Sequence, residues 1–143
     1  MQNPEHPLKR WQLWLARVAL LLATLILAAI ARKNIMDPAA AAAASSMALQ
    51  SPLAYTNMRA SFGAFPLGCA VFTLTCLTRR RLYAIGLYFV LALIGTALLI
   101  RGYGVIVDGT IEPSLRVLVA ESVIFLLSAA ALTGVLRAGI RVK

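Results

Sequence analysis

Asn57-Met58-Arg59-Ala60-Ser61-Phe62-Gly63-Ala64-Phe65-Pro66-Leu67-Gly68 is the stretch whose reading decides the fold. It opens an apolar segment with an arginine and keeps Ala60, Ala64 and Gly68 on one helix face at spacing four, with Gly63 beside them. In a membrane, small residues at that spacing let two helix backbones approach closely, because lipid gives helices no hydrophobic drive to associate. The spacing predicts that these four residues pack against another helix. Arg59 is costly there unless a carboxylate or water meets it. A partner for it is therefore expected elsewhere in the chain.

The surrounding composition agrees with lipid as solvent. Of 143 residues, 61% are hydrophobic and 13% charged, with a mean hydropathy of +0.83. An average soluble domain is about half apolar and about a quarter charged. A water-soluble fold of this size cannot hide so much apolar surface. The net charge is +9, but the basic residues sit at the ends of apolar runs and not on one polar face. They anchor and orient helices, so the expected partner is the lipid bilayer and not nucleic acid. Cys69 and Cys76 lie seven apart on one apolar segment. On a helix that is roughly 10 Å, beyond disulfide reach. His6 stands alone in a polar stretch, and no G-x-S-x-G, P-loop, CxxC or HExxH occurs. No metal and no cofactor is expected.

Outward from the opening stretch, the pattern predicts an all-α integral membrane protein, an up-down four-helix bundle in a single domain. The spans are expected at about 13–31, 57–77, 82–106 and 114–136. Lys9-Arg10 with Trp11 and Trp14 mark one edge of the first span, and Arg32-Lys33 the other. Arg17 lies near its start and can snorkel to the headgroups. A signal peptide is the competing reading of this run. The apolar core is longer than a usual signal core and is followed at once by Arg32-Lys33, so it is taken as a retained span. Asp37-Pro38 reads as an N-cap with proline at the first helical position, opening a short interfacial or re-entrant helix at about 38–50. Pro66 is a possible kink in the second span. Asp108-Gly109 reads as the stop of the third.

The block Arg79-Arg80-Arg81 between the second and third spans decides orientation. By the positive-inside rule it is cytoplasmic, which places both termini in the cytoplasm. An up-down bundle then gathers Arg59, Arg101, Asp108, Glu112, Arg116 and Glu121 in the extracytoplasmic half. Glu121 lies about two turns inside the fourth span, with Ser114 and Ser128 seven residues to either side on its face. An ionised carboxylate in hydrocarbon costs several kcal/mol, so it is expected to pair with an arginine or stay protonated. Three readings stand: an interhelical lock with Arg59 or Arg101, an outward pocket for an anion, a lipid headgroup or a proton path, or loose snorkelling with no shared network. Of the two arginines Arg59 is favoured, because it opens the helix with the small face.

Arg59-Ala60-Ser61-Phe62-Gly63, Leu67-Gly68, Arg101, Asp108-Gly109 and Glu121 together resemble a family of small four-helix bacterial membrane proteins. It is the domain-of-unknown-function family four-three-four-five. Its pattern is Arg-Ala-x-aromatic-Gly-Gly opening the second span, an Arg near the end of the third, then Asp-Gly, and a Glu in the fourth. Asp37-Pro38 also fits, and the resemblance covers about Leu13 to Leu136. Two positions depart from it: Ala64 stands in place of the second Gly, and Ile100 in place of a Gly before Arg101. The resemblance carries no activity to transfer. A more distant likeness to DoxX-like membrane proteins hints at a redox-associated accessory role by fold analogy alone.

The leading expectation is a non-enzymatic accessory or scaffold subunit, in a membrane protein complex or a homo-oligomer. Its charged cluster would be structural or would bind a small anionic or lipid ligand. The alternative is a transporter or permease component acting as an oligomer, and the third reading an intramembrane enzyme using Glu121 as acid or base. The topology has a direct test. Cysteine labelling in intact cells is expected to leave the Arg79–Arg81 loop protected and to reach the Asp108–Pro113 turn; labelling of the arginine loop from outside reverses the assignment.

Overall fold

Between Arg10 and Met36 there is neither glycine nor proline, and alanine and leucine favour helix throughout. The result is α1, Arg10–Met36, whose exposed Trp11 and Trp14 stand near its start. The computed structural model describes residues 10–109 and 111–137, with side-chain surroundings for all of these except 112 and 113. Pro38 cannot continue α1, since its ring would clash with the preceding turn. Asp37 leaves helical space (φ −136°, ψ 74°), and its carboxylate accepts the Ala40 N–H at 3.0 Å. That caps α2, Pro38–Ala43.

This short helix ends well before residue 50. Ser46 is left-handed (φ 56°). The Met47 N–H donates to the Ala42 carbonyl at 2.9 Å and the Ser46 N–H to that of Ala43 at 3.0 Å, the paired bonds of a Schellman ending. Helix propensity in 44–50 yields to this stop. Ala41 and Ala42 are buried in one cluster with Met58, so the segment folds back onto the next helix.

That helix, α3, runs from Pro52 to Thr78. Ser51 supplies the N-cap, accepting the Ala54 N–H at 3.2 Å, with Pro52 in the first turn. It therefore starts earlier than position 57. Met58–Ala64 is a π-helical segment inside it. In α geometry the ring of Pro66 would press on the carbonyl one turn back, and the wider i→i+5 turn just before it relieves that clash. The π turns also change which residues face inward. Met58 and Gly63, five apart, are buried, and Cys69, Ala70, Thr73 and Cys76 continue the stripe. Ala60, Ala64 and Gly68 are exposed, and a methyl on Gly68 would touch nothing within 4 Å. The expected packing of Ala60, Ala64 and Gly68 is thus corrected: of the four small residues only Gly63, which lies beside that row, packs.

A 3-10 turn at Arg80–Leu82 leads into α4, Tyr83–Asp108. Gly109 ends it in the left-handed region (φ 67°), its N–H on the Val105 carbonyl at 3.1 Å. α5 is Ile111–Arg137. Among the described residues all regular structure is helical, and four helices are long and apolar enough to cross a membrane.

The chain forms two compact units, Met1–Leu21 with Cys76–Lys143, and Leu22–Thr75. In the first, Gly86 is the point of closest approach. A Cβ there would lie 2.6 Å from Cys76 Cβ and 2.9 Å from Leu20 Cδ2. Nearby, Arg17, itself exposed, donates from Nε to the Tyr83 hydroxyl at 3.0 Å. In the second unit a Cβ on Gly63 would lie 2.6 Å from Ile35 Cγ1. Deeper in that unit the Thr24 hydroxyl donates to Thr73 Oγ1 at 2.9 Å, and Thr73 Oγ1 lies 3.1 and 3.0 Å from the Cys69 and Ala70 carbonyls.

These contacts predict where bulk is tolerated. Gly63→Leu should lower stability in detergent by about 1–3 kcal/mol through overpacking, read by thermal unfolding. Gly68→Leu should leave the midpoint unchanged. Equal losses at both sites would contradict the π register.

Candidate functional site

Charge is the scarce commodity in these helices, and the site is built from it. Arg101 lies in the last third of α4 and Glu121 in the first half of α5. The two helices run side by side, closely enough that a Cβ on Gly95 would stand 3.2 Å from the Phe125 ring. Arg101 Nε donates to Glu121 Oε2 at 3.1 Å, and Nη2 to Oε1 at 3.0 Å. Both carboxylate oxygens thus engage one planar guanidinium, the strong, orientation-specific form of the pair. The side chains are 37% and 19% exposed. Among the described residues from 91 to 127 none is buried.

Arg59 does something else. Its Nε donates to the Ile35 carbonyl at 3.2 Å. Ile35 is in the last turn of α1, whose carbonyls lack intrahelical donors and carry the negative end of the helix dipole. Gly63 brings α3 against Ile35, and Arg59, one turn earlier, reaches past it to cap α1. Glu121 therefore pairs with Arg101 and not with Arg59, the partner favoured on sequence.

Of the other charges expected in the cluster, Asp108 and Arg116 are exposed and make no ion pair among the described residues. Glu112 has its side chain outside the described set. Ser128, on the Glu121 face by spacing, is wholly buried, and its Oγ has no hydrogen-bond partner among the described residues. Sequence reasoning missed Thr24–Thr73 and Arg17–Tyr83. Each is a polar residue in an apolar run, a signal that marks an inward position without naming the partner.

The family model described as "Domain of unknown function (DUF4345)" matches residues 15–132, and the chain belongs to that family. No curated protein and no solved structure matches it.

If Arg101 and Glu121 form a lock, exchanging them should restore what single changes remove. Glu121→Gln should cost about 1–3 kcal/mol by leaving the guanidinium unpaired. The double exchange Arg101→Glu/Glu121→Arg should recover most of it in thermal unfolding, whereas Arg59→Gln should not rescue Glu121→Gln. Failure of the exchange alongside rescue by Arg59→Gln would return the pairing to Arg59.

Proposed function

We propose that this DUF4345 member is a non-enzymatic accessory or scaffold subunit that holds another membrane protein, or a second copy of itself, along the α4–α5 hairpin. The carrying observation is an ion pair left partly open beside a broad exposed aliphatic surface on the hairpin. Leu99 and Ile106 on α4 are 76% and 83% exposed, and Leu115, Val119 and Leu126 on α5 are exposed as well. Acyl chains can cover aliphatic side chains without cost, but they give a half-exposed guanidinium nothing to bond. A protein surface with polar groups at that height can do both. Glu121 suits this role better than catalysis, since its two oxygens are already committed to Arg101 and acid–base work needs a group that can meet a substrate proton. The pair holds the hairpin as one rigid face for docking.

In this reading the protein sits in a bacterial cytoplasmic membrane with both termini in the cytoplasm, oriented by Arg79, Arg80 and Arg81. A photo-crosslinking amino acid at Leu99 or Ile106, activated in native membranes, should yield a discrete protein adduct, of a partner or of the chain itself. The same probe at Leu25, exposed on α1, should give far less. Lipid adducts alone at all three positions would defeat the scaffold reading.

A further inference from the structure

Three cations collect at the C-terminal end of α1. Arg32 and Lys33 are exposed in its last turns, and Arg59 reaches the Ile35 carbonyl. The helix end offers them about half an elementary negative charge, and Asp37 adds one carboxylate. Asp37 is partly engaged by the Ala40 N–H, and Arg59 already serves the helix end. Arg32 and Lys33 make no ion pair among the described residues. Positive charge is therefore in surplus where α1 leaves the apolar zone.

The same turn carries a surface cleft of about 420 Å³, lined by Ala28, Ala29, Arg32, Lys33, Met36 and Asp37. Its composition is divided along the helix. Ala28 and Ala29 form a low apolar floor one turn below the two basic side chains, and Met36 rises one turn above. A long side chain at 28 or 29 would fill that floor. With alanines there, an extended hydrocarbon chain can lie against the backbone, directly beneath two cations.

We propose that this face of α1 binds one anionic phospholipid, its phosphate against Arg32 and Lys33 and an acyl chain across Ala28 and Ala29. Charge complementarity selects the headgroup. A zwitterionic lipid would bring its own ammonium group toward two side chains that already lack anions. The amphipathic division of the cleft selects a lipid over a free anion, since inorganic phosphate makes no use of the alanine floor.

Native mass spectrometry of the full chain in detergent tests this, with phosphatidylglycerol, phosphatidylcholine and inorganic phosphate as probes. Phosphatidylglycerol should bind more tightly than phosphatidylcholine. Each basic side chain near an anionic headgroup contributes about fivefold, so Arg32→Gln/Lys33→Gln should weaken binding roughly 25-fold. Ala29→Phe keeps every charge at an exposed position and should also weaken it, while inorganic phosphate should not compete. Equal binding of the two lipids, unchanged binding in both variants, or displacement by inorganic phosphate would each overturn the proposal.

Discussion

Helix backbones that come within a methyl group of their neighbours are the constraint on which the rest of this structure depends. At Gly63 and Gly86 a single Cβ would collide with Ile35 or with Cys76 and Leu20. Lipid tails are as apolar as leucine, so burial alone cannot hold such helices together, and close van der Waals contact has to. Each glycine lies in a different compact unit, and each unit has its own set of small buried residues. These include Ala16, Ala19 and Ala84 in one, and Ala23, Ala31 and Ala70 in the other. The polar contacts depend on this closeness. Arg59 reaches Ile35 because Gly63 has brought the two helices together, and Arg17 reaches Tyr83 only three residues from Gly86.

The chain handles its intramembrane charges in different ways. Arg101 meets a carboxylate, Arg17 a phenol and Arg59 the carbonyl end of a helix. Only the first joins opposite charges, so removing one partner there leaves the other charge unanswered. The other two satisfy donors with neutral acceptors and leave their positive charge to be balanced from outside. A chain carrying +9 has that balance to find, and the nearest large supply of negative charge is the membrane surface.

Much of this was legible in the sequence because it depends on local chemistry. The four apolar runs, the Asp37-Pro38 helix start and the Asp108-Gly109 stop follow from composition and from residues with restricted backbones. Ser51-Pro52 carries the same start signal as Asp37-Pro38, and it sets the start of α3 at 52, five residues before the expected 57. The extent of α2 was overestimated: propensity in 44–50 says nothing of a Schellman turn with serine in the left-handed position. The largest departure came from the π segment. Spacing four assumes α geometry, and seven residues of π helix moved the buried row from Ala60, Ala64 and Gly68 to Met58 and Gly63. The choice between Arg59 and Arg101 for Glu121 lay beyond sequence as well, since it depends on which helices lie side by side.

The Thr24–Thr73 bond has a mechanical consequence. Two helices joined only by smooth aliphatic contact can slip along their axes with little resistance, as rods do in oil. A hydroxyl pair in a site sealed from water resists that motion differently, because no solvent molecule stands ready to replace the parting donor. The bond acts as a dowel: sliding either helix by one residue, about 1.5 Å, breaks it. With Thr73 0% exposed and its oxygen also within reach of the Cys69 and Ala70 carbonyls, the dowel is anchored in the backbone of α3 itself. Axial load on the second half of α1 is thereby passed to α3 at one height, below the turn where Gly63 meets Ile35.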